Sequence, residues 1–485
     1  MRFLDLPIVE INKLLKEKKV TVTDLVNEAF LRVEENKDLN CFITLNKEEA
    51  LKRASELDKM EVSNILFGIP IAIKDNIVTK HLRTTCASLI LSNFNPIYDA
   101  FVIELINKNN MVIIGKCNMD EFAMGSSNRT SYYGPVLNPL DKTRIPGGSS
   151  GGSAACVSAN IVPLSLGSDT GGSIRQPSSY CGVVGLKPTY GRVSRFGLIA
   201  FSSSLDQIGP ISRNVYENAL LLNILCEKDE RDLTNIKTPT TDFTAKIGDN
   251  IANMRIAIPS FYISKVVDEN IKNALFKVVD ILKKNGATID IIDIKYLEDA
   301  VCLYQVIALG EASSNLARFD GIKYGYSSSD ATNITETFKK SRSRGFGKEV
   351  KRRMMIGSYL LSGVNAKTYY DKALRIRNAM KCEFDKAFNS YDLIIGPVTT
   401  SFPCKLDEYR NDANKGFMDD LLTIPVNMAG LPGISVPGGF DKDGLPIGIQ
   451  FIGKAFDEKN LLQVAYTFEQ NTTYSKEIPT IEEGK

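Results

Sequence analysis

The chain has 485 residues, 43% of them hydrophobic and 24% charged, and a formal net charge of +2. Those are ordinary globular values, and with Lys and Arg scattered among Asp and Glu there is no basic footprint for nucleic acid or an anionic membrane. Nine cysteines, odd in number and without a C-x-x-C pair, argue against a disulfide framework and for a reducing compartment.

The first residues carry Asp5 and Glu10 where a signal peptide would need an apolar run. No stretch approaches the roughly 18 uncharged apolar residues that cross a bilayer, so a soluble, cytoplasmic protein without membrane contact is expected. Residues 1–60 are predicted to be helical and packed on the core. Ile8, Ile11, Leu14 and Leu15 recur at helix-face spacing, then Leu25, Ala29 and Val33 after a candidate cap at Thr23. Short β-type runs follow at 65–74, 111–116, 161–167, 255–259, 288–294, 392–398 and 446–453. Helical patterns separate them, as at 100–110, 217–228 and 269–285. That alternation predicts an α/β layer fold with a largely buried sheet. Residues 61–470 read as one domain with a mostly helical excursion at about 296–390, because strands resume after it, and 471–485 as a C-terminal tail.

Residues 144–155, RIPGGSSGGSAA, allow three readings. Gly and Ser in this density make a flexible tether, yet the tract lies inside the α/β core. Gly147 to Gly151 fits the G-x-S-x-G nucleophile elbow, but the chain has a single histidine, His81, which precedes the tract and sits in a polar segment, TKHLRTT. A phosphate-binding loop would need Lys-Ser/Thr after its glycines. One histidine and unpaired cysteines give no metal-ligand cluster. A serine without histidine needs another base, and lysine is the precedent. With an ordinary pKa near 10.4 a lysine is charged, so burial must lower it toward about 7–8. Lys74, ending the apolar run FGIPIAIK, is the candidate.

Three segments together, GIPIAIKDN (68–76), PGGSSGGSAA (146–155) and GSDTGGSIRQPSSYCGVVGLKPTYGRVS (167–194), resemble in order and spacing the amidase signature family. The resemblance implies a large mixed sheet covered by helices on both faces and a Ser–cis-Ser–Lys triad falling on Ser173, Ser149 and Lys74. Ser173 would be the nucleophile at a strand-to-helix turn, with Ser149 relaying its proton to Lys74. Backbone N–H groups of Thr170, Gly171, Gly172 and Ser173 would face a developing oxyanion. The glycine-rich tract would then be an ordered loop. Asp169, Arg175 and Lys187 read as structural, the first two as an ion pair.

Further segments outside the triad, among them CNMDEFAMGSSN (117–128), RGFGKEVKRRMMIGSYLLS (344–362) and LLTIPVNMAGLPGISVPGG (421–439), extend the resemblance to the family's glutaminase subunits of tRNA-dependent amidotransferases. That implies glutamine held by Arg353 on its α-carboxylate, Asp420 on its α-ammonium and Tyr304 along one side. It also implies two partners, the B and C subunits of a heterotrimer. No cofactor or metal is expected in this chain; ATP and Mg would be used by the B partner. That partner would amidate misacylated Glu-tRNA(Gln), with Asp-tRNA(Asn) an open second acceptor, using the ammonia released here. A stand-alone amidase acting on another small amide is the alternative. His81 stands where this branch of the family is expected to have glycine.

Overall fold

The computed structural model describes residues 2–239, 241–408 and 415–475, so that residues 476–485 of the expected tail lie outside the described residues. The strands are β1 (Phe42–Leu45), β2 (Pro70–Lys74), β3 (Val112–Cys117), β4 (Leu164–Asp169), β5 (Val184–Lys187), β6 (Gln207–Ser212), β7 (Arg255–Pro259), β8 (Thr288–Ile292), β9 (Leu393–Pro397), β10 (Gly433–Phe440) and β11 (Pro446–Gly453). They form one eleven-stranded sheet in the order β1-β3-β2-β4-β6-β5-β10-β11-β9-β7-β8. β2 runs parallel to β3 and β4, and β7 parallel to β8 and β9, while the remaining pairs are antiparallel.

Both faces are covered, and the side-chain alternation shows it. Leu393 and Ile395 of β9 enter one hydrophobic core, Ile394 the other. The first core also takes Ile8, Leu25 and Phe468, which seats the N-terminal helices and the C-terminal helix Glu458–Gln470 on that face. The second takes Leu303, Ile307, Phe346, Val350 and Phe384. Helices from residues 300–387 therefore form the layer over the second face.

The N-terminal segment differs from expectation in two respects. Helix Val22–Glu35 is capped by Thr21, not Thr23: the Thr21 hydroxyl accepts from Asp24 N at 3.0 Å while Thr21 N donates to the Asp24 carboxylate at 2.9 Å. The Thr23 hydroxyl instead bonds Asp58. Residues 42–45 are strand β1, antiparallel to β3, within a stretch read as helical throughout.

Parallel pairing of β2 with β4 positions the site. Ile73 lies beside Leu166, so Lys74 at the end of β2 reaches the same sheet edge as Ser168 and Asp169 at the end of β4. β6 runs the other way, with Gln207 opposite Asp169, and so begins at that edge. Carboxyl ends of adjacent parallel strands form the usual crevice for a ligand in such sheets.

Candidate active site

Lys74 is fully buried, and its amine meets three oxygens: Ser149 Oγ at 2.7 Å, Ser150 Oγ at 2.8 Å and the Ser168 carbonyl at 3.1 Å. Burial drives its pKa down to about 7, against the opposing pull of Asp120, Asp169 and Asp206. A neutral amine has two N–H donors and one lone pair, and this surrounding suits that form. The Ser168 carbonyl and Ser150 Oγ can accept, since the Ser150 hydroxyl can give its own proton to the Ser168 carbonyl 3.1 Å away. The Ser149 hydroxyl can then donate to the lone pair.

The Gly148–Ser149 peptide is cis, and the loop that carries it is buried. Gly148 N donates to Gln176 Oε1 at 2.9 Å, and Gln176 Nε2 donates to the Ser126 carbonyl at 3.0 Å. Asp120 N donates to the Ser149 carbonyl at 3.3 Å. A side chain at 148 would collide with the Asp120 carboxylate and the Ser127 and Asn128 amides, so close packing requires glycine there. The tract is an ordered loop as expected. Its second half, however, is no loop, because Gly151 opens the helix Gly151–Ser158.

Ser173 lies in the turn between β4 and helix Arg175–Tyr180, and is 5% exposed. Asp169 and Arg175 pair there as predicted, Nε to Oδ2 and Nη2 to Oδ1 both at 3.1 Å and both side chains without exposure. Burial alone would raise the Asp169 pKa, but the Arg175 charge and hydrogen bonds bring it to about 2. The Thr170 hydroxyl donates to Asp206 Oδ1 at 2.7 Å, and the Thr423 hydroxyl to the Gly171 carbonyl at 2.7 Å. Ser150 N donates to the Ser173 carbonyl at 3.2 Å, tying the turn to the serine loop. Among the described residues nothing accepts from the N–H of Gly171, Gly172 or Ser173, and no direct hydrogen bond joins the Ser149 and Ser173 hydroxyls. Lys187 is buried with its amine on the Pro188 carbonyl at 2.7 Å, away from these contacts.

Two of the three residues expected to hold glutamine line this turn, and the third, Arg353, lies against the aromatic rings that surround Tyr304, its Nε donating to Glu349 Oε1 at 2.7 Å. A methyl group on Gly172 would stand 2.6 Å from Asp420 Oδ1, and one on Gly171 2.9 Å from the Tyr304 ring. Asp420 Oδ1 is enclosed and has no hydrogen-bond partner among the described residues. Its carboxyl is held well above the usual range by burial and by Asp419 and Asp169 nearby. The Arg353 guanidinium lies 4.8 Å from the Phe417 ring centre and 5.9 Å from that of Phe201. Both rings pack edge-on against Tyr304, at 6.2 and 6.5 Å. Arg353 is 8% exposed at its side chain and Arg352 32%, so the helix Lys348–Leu360 turns only the former inward. Phe201, Phe417, Ser150, Asp206 and Thr423 had no signal in the sequence that singled them out. His81 is exposed with φ 61°, a left-handed conformation that explains the expectation of glycine there.

Among the described residues no three His, Cys, Asp or Glu side chains are grouped to hold a metal ion, and no helix is long and apolar enough to cross a membrane.

A family model described as Amidase matches residues 24–462. The chain is 50% identical over 486 aligned residues to the A subunit of glutamyl-tRNA(Gln) amidotransferase from Geobacillus kaustophilus, covering 99% of this chain and all of that one. It is likewise 50% identical to the protein of that name from Pediococcus pentosaceus, with both chains fully covered. Among solved structures it superposes on the A subunit of glutamyl-tRNA(Gln) amidotransferase from Thermotoga maritima with a TM-score of 0.83 at 38% identity, covering 100% of this chain and 99% of that one. The chain belongs to the amidase family.

Proposed function

We propose that this chain is the glutaminase component of a tRNA-dependent amidotransferase, hydrolysing glutamine to glutamate and ammonia with Ser173 as nucleophile, Ser149 as relay and Lys74 as base. The observation that carries the reading is the enclosed Lys74 amine, 2.7 Å from Ser149 Oγ and with its pKa drawn to about 7. Glutamine enters with its α-carboxylate toward Arg353 and its α-ammonium toward Asp420, and the Tyr304 ring closes one side. Binding an ammonium stabilises the ionised form of Asp420 and relieves the cost of its burial. Among the described residues no group satisfies the enclosed Asp420 oxygen, which the ammonium would do.

The Ser173 hydroxyl turns toward Ser149 as its oxygen attacks the side-chain amide carbon. Its proton passes to Ser149 Oγ while the Ser149 proton passes to Lys74 Nζ. The oxyanion that forms is met by the unengaged N–H groups of the 170–173 turn. Lys74 returns a proton through Ser149 to the amide nitrogen, ammonia leaves, and an acyl-enzyme remains on Ser173. Water, deprotonated along the same relay, then releases glutamate.

The B and C subunits are the partners we propose, in the cytoplasm. B uses ATP and Mg to activate misacylated Glu-tRNA(Gln), with Asp-tRNA(Asn) a second candidate acceptor, and consumes the ammonia. A net charge of only +2 fits a chain that leaves the tRNA to its partner. The test is a glutaminase assay of the chain alone and assembled with B and C, with Glu-tRNA and ATP varied. Ammonia release from glutamine that disappears in Ser173→Ala supports the reading, and its absence from the intact complex sinks it.

A further inference from the structure

Next to each other in the chain, Asp120 and Glu121 serve two different parts of the site. Asp120 faces the serine loop: its N–H bonds the Ser149 carbonyl, and its carboxylate accepts from Ser127 N at 3.2 Å, Asn128 N at 2.8 Å and the Thr130 hydroxyl at 2.9 Å. Glu121 faces the opposite way. It is 2% exposed, and both of its oxygens accept from Gly347 N, Oε2 at 2.9 Å and Oε1 at 3.1 Å, while the Ser88 hydroxyl donates to Oε1. The Ser88 hydroxyl also lies 3.2 Å from the Gly345 carbonyl.

Gly347 is the cap residue of the helix Lys348–Leu360, which carries Arg353, and as glycine it has no side chain to cap with. A side chain at 347 would run into the Glu121 carboxylate. Glu121 does not replace that cap, which would bond an N–H inside the first turn; it takes the N–H of Gly347 itself, as the third-position side chain does in a capping box, and a carboxyl at that end also suits the helix dipole. The Phe122 ring packs 5.5 Å from Phe346, so the short link between the helices Ile334–Gly345 and Lys348–Leu360 is gripped on two sides. Burial raises the Glu121 pKa to about 7. Sequestering a carboxyl there is costly, and a structure retains it where its hydrogen bonds matter.

We infer that Glu121 is a positioning residue for substrate recognition: by pinning the start of the Arg353 helix to the turn that holds the catalytic serine loop, it sets the distance between the carboxylate fork and the nucleophile. The inference rests on the proposed role of Arg353 with glutamine. It predicts that Glu121 governs the affinity for the amino-acid part of the substrate and leaves the chemistry at Ser173 alone.

The experiment uses the assembled complex with Glu121→Gln, which keeps shape but loses an acceptor for Gly347 N, and Glu121→Ala. Glutamine kinetics are measured beside the rate at which phenylmethylsulfonyl fluoride, which has neither α-carboxylate nor α-ammonium, labels Ser173. The expected result for Glu121→Gln is a KM for glutamine raised about tenfold, with kcat and the labelling rate within about twofold of the parent. An unchanged KM overturns the inference, as does a joint fall of kcat and labelling, which would mark Glu121 as merely structural. Arg353→Ala is the control that separates the two readings. If it raises KM and Glu121→Gln does not, only the role of Glu121 fails; if it leaves KM unchanged, both fail.

Discussion

Lys74 Nζ stands 2.7 Å from Ser149 Oγ, across a sheet edge where β2 and β4 end side by side. Burial has brought that amine to a pKa of about 7, and this makes the first prediction one of pH. Only the neutral amine can take a proton, and its fraction rises with pH. The rate should therefore climb with unit slope from pH 5, bend near 7 and level above it. Lys74→Arg stays charged throughout and should lower kcat by about 10⁴-fold or more at every pH. A pH–rate profile of glutamine hydrolysis checks both, and activity that survives in Lys74→Arg would remove Lys74 from the role of base.

Ser173→Ala should abolish turnover but leave glutamine affinity within about threefold, since the proposed binding groups lie on other elements. Isothermal titration with glutamine, beside the ammonia assay, is the measurement.

Ser150 is the second hydroxyl on the Lys74 amine, at 2.8 Å. A hydroxyl that accepts from the charged amine favours the charged form, so Ser150→Ala should move the acid limb to lower pH. It should also cost about 10- to 100-fold in kcat, because one contact that orients the amine is lost. An acid limb that stays in place would show that Ser150 only fills space.

Arg175 and Asp169 form a pair without exposure beneath the nucleophile turn, and Arg175 also reaches the Thr423 carbonyl at 3.1 Å and Asn427. Arg175→Met would strand the buried carboxylate and should destabilise the fold by about 3–5 kcal/mol. Thermal unfolding followed by circular dichroism would register this as a clear fall in Tm. Asp169→Asn with Arg175→Met together should recover part of the loss, because no charge is then left unpaired.

Arg353→Ala should raise the KM for glutamine by about 10²-fold, the scale of a lost charge-assisted fork, while Arg352→Ala should stay within about threefold. Steady-state kinetics distinguish the two, and equal effects would contradict the inward turn of Arg353 alone.

Three of the four strands that the sequence hid share one physical feature. Runs such as IAIK, VIIGK and RIAIP are continuous and apolar, as strands buried on both faces must be. β5 (VGLK), β6 (QIGPIS) and β10 (GISVPGGF) are interrupted by Gly and Pro, which read as turns in isolation. Only pairing with neighbours shows that they complete the centre of the sheet.

Lys74 stood out as a candidate base because a chain with one histidine needs a lysine at the end of a buried strand, whereas Ser149 and Ser173 were expected only from the resemblance of three segments to the amidase signature family. The choice of Arg353 over Arg352, the turning of Asp420 to Gly172, the second serine on the amine and the aromatic walls Phe201 and Phe417 were decided by tertiary structure. Each depends on which face a helix or loop turns toward a sheet edge assembled from segments far apart in the chain, and neighbouring residues of one type carry no local mark of that orientation.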